Sequence, residues 1–154
     1  MLREDEIKEI QACLSHYDRR RAALPEALMI VQRSRRWVST EAVYDIAAVI
    51  NVTAEEVDRV ATFYSLIYRR PVGRHVILIC DSVSCWIMGY QPLREHLKGR
   101  LGIDLGQTTT DDRFTLLPTA CLGDCDHAPV MMIDDDLHRD LTADKVDEIL
   151  ERYA

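Results

Sequence analysis

Ile7, Ile10, Leu14 and Tyr17 recur at intervals of three and four, the spacing that gathers apolar side chains into one stripe along a helix. Three more stretches of the first seventy residues carry the same period. Pro25, suited to a first helical turn, precedes Ala27, Leu28, Ile30 and Val31. Ser39 is positioned to cap a helix through Val43, Ile46, Ala47 and Ile50. Thr53-Ala54-Glu55-Glu56 has the form of a capping box, in which the threonine hydroxyl and the glutamate carboxylate each satisfy a free amide at a helix start. Behind it, Val57, Val60, Ala61 and Tyr64 form the expected buried face. Arg69-Arg70-Pro71-Val72-Gly73 then breaks the period, and a boundary is expected there, between residues 1–71 and 72–154.

Past the break the pattern changes. Val76-Ile77-Leu78-Ile79 is short, wholly apolar and mostly β-branched, which predicts a buried strand ending at Cys80. Leu93, Leu97 and Leu101 predict a helix over 92–101. Thr108-Thr109-Thr110, the turn Asp111-Asp112 and Phe114-Thr115-Leu116-Leu117 read as a hairpin. Val130-Met131-Met132-Ile133, the turn Asp134-Asp135-Asp136 and Leu137-His138-Arg139 read as another. Thr142 caps a last helix with Val146, Ile149, Leu150 and Tyr153 facing inward. The expected architecture is an N-terminal helical bundle over 1–71, followed over 72–154 by a small α/β sheet of thioredoxin-like arrangement. The chain as a whole is then α+β. Neither internal repeats nor low-complexity segments interrupt it.

Composition narrows the classes of function. Hydrophobic residues make up 47% of the 154, enough to bury a real core. The acidic start Met1-Leu2-Arg3-Glu4-Asp5-Glu6 predicts no secretory signal, and no stretch approaches the ~20 apolar residues of a membrane span. A cytoplasmic chain without membrane insertion is expected, in a compartment where structural disulfides are rare. Net charge is −7 and uneven. Residues 1–71 carry eleven basic and eleven acidic side chains, so the excess lies beyond them. That acidity disfavours nucleic acid as a partner. Residues 39–66 could pass for a helix-turn-helix, but Glu41, Asp45, Glu55, Glu56 and Asp58 on the polar faces would repel phosphate. The runs Arg19-Arg20-Arg21 and Arg33, Arg35, Arg36 read as solvated faces.

The chemistry lies in the cysteines. Four of the five form two pairs, Cys80-x4-Cys85 and Cys121-x3-Cys125, each directly after a predicted strand. Two strand-end loops of one sheet can converge, and four thiolates meeting there suit a soft metal or an iron–sulfur cluster. Structural zinc stays open, although its cysteine pairs are more often spaced by two residues. A thioredoxin-type redox site needs Cys-x-x-Cys, which is absent. Gly123 would let the backbone wrap close to the cluster. Ser82 and Ser84 offer hydroxyls to the sulfurs, and Trp86, Ile87 and Met88 could shield one side from water. Cys13, beside the first stripe, reads as a buried thiol, and His127 as a surface residue.

Ile79-Cys80-Asp81-Ser82-Val83-Ser84-Cys85 and Thr115-Leu116-Leu117-Pro118-Thr119-Ala120-Cys121-Leu122-Gly123-Asp124-Cys125, with Ala128-Pro129-Val130-Met131-Met132, resemble one family. It is the small [2Fe–2S] subunit of bacterial NADH:quinone oxidoreductase, respiratory complex I. Val60-Ala61-Thr62-Phe63-Tyr64 resembles the family's signature at the end of its helical region. The resemblance implies that Cys80, Cys85, Cys121 and Cys125 ligate one [2Fe–2S] cluster. It implies an electron-transfer role beside a flavoprotein subunit that binds FMN and NADH, together with other iron–sulfur subunits of the peripheral arm, at the cytoplasmic side of the inner membrane. A Gly-rich phosphate loop is absent here, consistent with FMN and NADH binding elsewhere. Relatives also serve NAD-linked formate dehydrogenases and hydrogenases, and a free-standing thioredoxin-like ferredoxin is the alternative reading. Ser82-Val83 stands where many members have Gly-Thr. All-cysteine ligation, with Asp81, Asp124 and Asp126 beside ligands, predicts a potential at or below about −400 mV.

Overall fold

Local capping signals set where two of the N-terminal helices begin. In the computed structural model, which describes residues 1–153, the chain divides into two units, Met1–Pro71 and Val72–Ala154. The first holds α1 (Glu4–Leu14), a 3₁₀ turn (Arg20–Ala23), α2 (Leu24–Arg35), α3 (Thr40–Ile50) and α4 (Ala54–Phe63). Ser39 Oγ accepts from the Ala42 amide at 3.1 Å. At α4 the capping box is complete: the Thr53 amide donates to Glu56 Oε2 at 3.1 Å and the Glu56 amide to Thr53 Oγ1 at 3.2 Å. Thr53→Ala is expected to destabilise this unit by about 1 kcal/mol in denaturant unfolding. An unchanged midpoint would show that the cap contributes nothing.

The apolar stripes of these helices meet in one core that includes Ile10, Leu28, Val31, Ile46, Ile50 and Val57. Cys13 lies within it, as expected. The periodic reading overreaches at two tyrosines. α1 stops at Leu14, where the Ser15 hydroxyl turns back to donate to the Ala12 carbonyl at 2.7 Å. Tyr17 therefore lies outside the helix, exposed, with its hydroxyl donating to Glu26 at 3.0 Å. Tyr64 follows the last residue of α4 with extended backbone and is likewise exposed. Periodicity predicts which face a helix would bury, not where the helix ends.

The core edge also contains a carboxylate that the pattern did not reveal. Glu6 is only 2% exposed. It accepts from the Arg3 amide at 2.8 Å, closing the first turn of α1. It also takes a two-pronged bond from Arg35 on α2, with Nε at 2.8 Å and Nη2 at 2.5 Å. Ser34 Oγ donates to it as well.

The second unit is a five-stranded sheet in the order β2-β3-β1-β4-β5. Its elements are β1 (His75–Cys80), α5 (Val83–Met88), α6 (Tyr90–Leu101), β2 (Gln107–Thr108), β3 (Phe114–Thr119), β4 (Met131–Ile133), β5 (Asp136–His138) and α7 (Ala143–Arg152). The apolar run of β1 takes the central position, where both faces are covered. It pairs parallel with β3, from His75↔Phe114 to Cys80↔Thr119, and antiparallel with β4. Ile77, Ile79, Phe114, Leu116, Met131 and Ile133 pack with Leu93 and Leu97 of α6 and Val146, Ile149 and Leu150 of α7. The first hairpin starts at Gln107, and Thr109 belongs to its turn, accepting from the Arg113 and Phe114 amides at 3.2 and 3.0 Å. Gly73 enters the sheet against the backbone at 112–114, where a Cβ would come within 3.0 Å of main-chain atoms. Tyr153 lies past α7, half-buried, and donates to Asp136 at 2.8 Å. Among the described residues no helix is long and apolar enough to cross a membrane.

Candidate metal centre

Parallel pairing of β1 and β3 decides where the cysteines meet. Cys80 is the last residue of β1 and stands opposite Thr119, two residues before Cys121. The Asp81 amide donates to the Thr119 carbonyl at 3.0 Å, so the two chains leave the sheet side by side. β4 runs back along β1 with Met131 opposite Ile79, which brings residues 125–130 to the same end. The Cys80 amide donates to the Val130 carbonyl at 3.3 Å. Cys85 sits on the short helix α5, not in a loop, and Cys125 opens a 3₁₀ turn (Cys125–His127). All four thiols thus gather at the carboxyl ends of the two parallel strands, where open α/β sheets characteristically bind ligands.

Their sulfurs approach as two pairs, Cys80 with Cys85 and Cys121 with Cys125. Cys121 Sγ lies 3.9 Å from Cys125 Sγ. Burial pushes the Cys85 thiol up to about 11, opposed by the Val130 amide and reinforced by a hydrogen bond to Cys80 and by the charge of Cys125. Two thiolates on one tetrahedral metal, each at about 2.3 Å, lie about 3.8 Å apart. The Cys121–Cys125 separation therefore suits a shared metal. Cys80 and Cys85 are buried with Ala128 and Val130, against Leu122 and Leu137, while Cys121 and Cys125 are exposed. The group is dry on one side and open on the other. An all-thiol donor set with two hydrogen-bonding amides fits a soft metal or an iron–sulfur cluster. Cys13 is remote in role: burial and its bond to Glu26 push it up to about 11, and it belongs to the helical core.

Several details depart from the expected surroundings. Among the described residues, Ser82 and Ser84 make no hydrogen bond to a sulfur. The donors are amides instead, Gly123 to Cys121 Sγ at 3.3 Å and Val130 to Cys85. Gly123 is needed for its backbone, at φ +81°, since a Cβ there would meet nothing within 4 Å. Trp86, Ile87 and Met88 do not shield the sulfurs; α5 turns them outward, and Ile87 is 75% exposed. His127 is exposed and pairs with Asp140 at 3.3 Å, as a surface residue would. Asp124, Asp126 and His127 approach one another, but Asp124 is already paired with Arg139. That pair bridges residues fifteen apart, and no sequence signal announces it.

A family model described as thioredoxin-like [2Fe-2S] ferredoxin matches residues 10–154. The chain belongs to the thioredoxin-like [2Fe–2S] ferredoxin family. This family's cofactor is a single [2Fe–2S] cluster. The chain is similar to an NADH-quinone oxidoreductase subunit of Salmonella typhimurium, at 57% identity over 90% of this chain and 83% of the relative. It is similar to the Pseudomonas aeruginosa protein of the same name at 50% identity, over 100% of this chain and 93% of that one. Among solved structures, an NAD+-reducing [NiFe]-hydrogenase matches 82% of this chain with a TM-score of 0.71 and 27% identity. The matched region spans 22% of that hydrogenase chain. The thioredoxin-like arrangement expected from the order of elements, and the ferredoxin domain that the resemblance implied, are thus borne out.

Proposed function

We propose that this chain is the small electron-transfer subunit of an NADH:quinone oxidoreductase, with Cys80, Cys85, Cys121 and Cys125 holding its one [2Fe–2S] cluster. The convergence of those four thiols at the ends of β1 and β3 carries the reading. When bound, the cluster supplies one-electron redox chemistry. The chain's own residues do the rest. Amides of Gly123 and Val130 donate to the thiolates and offset their negative charge. Ala128, Val130 and Leu137 exclude water from the buried pair. The exposed pair leaves one side open, where a partner can approach closely enough to exchange an electron. That partner is a flavoprotein subunit binding FMN and NADH, within a peripheral arm that includes further iron–sulfur subunits, outside the bilayer on the cytoplasmic face.

Identities of 50–57% to proteins named as NADH-quinone oxidoreductase subunits favour this host over the hydrogenase, whose matching region is 27% identical. Anaerobically purified native protein is expected to be brown, with charge-transfer absorption in the visible and two irons per chain. It is expected to co-purify with a flavoprotein. Stoichiometric zinc without visible absorption would overturn the cluster. A cluster-loaded chain that always purifies alone would favour a free-standing ferredoxin.

A further inference from the structure

Asp124 stands between Gly123 and Cys125 with its side chain only 15% exposed, and its carboxylate accepts from Arg139 Nε. Arg139 directly follows β5. The next residues repeat the connection. Asp140 pairs with His127 Nδ1 at 3.3 Å, its amide donates to the His127 carbonyl at 2.8 Å, and the Leu141 amide donates to the Pro129 carbonyl at 3.1 Å. Lys145 on α7 holds the Asp140 carbonyl at 2.9 Å. Residues 139–141 therefore run as a brace along the segment that carries Cys125.

We infer that Arg139 is a positioning residue for the metal centre: through Asp124 it fixes the Cys121–Cys125 loop and cancels the carboxylate charge beside a ligand. This rests on the cluster reading above. Ion pairs between exposed side chains contribute little, but Asp124 is largely withdrawn from water, where a charge-assisted bond is stronger. The loop needs such an anchor, because both of its cysteines are exposed. An unpaired Asp124 would also oppose an added electron, whereas the pair with Arg139 is neutral.

The test uses the cluster-loaded full chain, with iron release to a chelator and midpoint potential as readouts. Arg139→Gln is expected to release iron about tenfold faster and to shift the potential downward. Asp124→Asn is expected to shift it upward. The double variant is expected to return the potential to near the wild-type value while still releasing iron fast, and Arg139→Lys to keep the wild-type potential. A loaded Arg139→Gln protein with wild-type release rate and potential would overturn the inference, even if it melted lower. So would single variants that shift the potential in the same direction. Wild-type protein that holds no iron would instead overturn the cluster reading, and this inference with it.

Discussion

Replacing Cys80, Cys85, Cys121 or Cys125 by alanine is expected to remove the visible absorption and lower iron per chain at least about tenfold. Cys13→Ala is expected to keep both. On the proposed ligation each of the four supplies one thiolate, so each loss would leave an open coordination position. The sulfurs are held by separate elements, namely a strand end, α5, the chain after β3 and a 3₁₀ turn. The fifth cysteine, Cys13, is buried in the helical core and is not free to substitute. The two pairs should differ in what they cost the fold. Cys80→Ala and Cys85→Ala leave a void in a buried apolar cluster and should lower stability without metal, whereas Cys121→Ala and Cys125→Ala, exposed, should not. Iron analysis, absorption spectra and thermal melting of the five variants check this. Cluster loss in Cys13→Ala alone would overturn the ligand assignment.

Glu6→Gln is expected to destabilise the helical unit by about 2–3 kcal/mol at neutral pH. The amide fits the site but removes the charge that Arg35 faces through two hydrogen bonds. Arg35 is half-buried and can recover some hydration, which places the cost below the roughly 3–5 kcal/mol of breaking a fully buried pair. Burial pushes the Glu6 carboxyl up, but the bonds from Arg35, Ser34 and the Arg3 amide prevail and hold it at about 2, below its ordinary 4.5. A depressed carboxylate stabilises the fold above its ordinary value, and the contribution is lost as pH falls from about 4.5 through about 2. Wild-type stability should therefore fall across that window, and Glu6→Gln should flatten the fall. Denaturant unfolding followed by Trp37 fluorescence, with Trp86→Phe as the background, reads the helical unit. Equal slopes in the two proteins would show that Glu6 contributes no such linkage.

Neither the brace nor the Glu6 pair can be read along the chain. Arg35 and Glu6 are 29 residues apart, and Arg33 and Arg36 beside Arg35 look the same in sequence. Arg139 reads as the end of a hairpin strand and Asp124 as one more acid among many. Only the return of residues 139–141 alongside 124–129 makes them partners. This changes the charge argument for the cluster. Asp124 is neutralised by Arg139, so the carboxylates left beside ligands are Asp81 and Asp126, both exposed and open to screening by salt.

The chain by itself determined what depends on neighbours within about four residues. Ser39, Thr53 and Thr142 announced helix starts because a cap is a bond between a side chain and an amide two or three positions on. The apolar run before Cys80 announced a central strand because only a strand covered on both faces tolerates it. The paired cysteines narrowed the chemistry to a soft metal or an iron–sulfur cluster, and the resemblance of their flanking residues named the cluster. Tertiary structure alone decided the rest. The parallel register of β1 and β3 brings Cys80 and Cys121 together, α5 turns Trp86 and Ile87 away from the sulfurs, and tight turns release Tyr17 and Tyr64 from their stripes. Hydrophobic period carries no information on which distant segment returns to which. That is set by packing and charge pairing across the whole fold, which no local window contains.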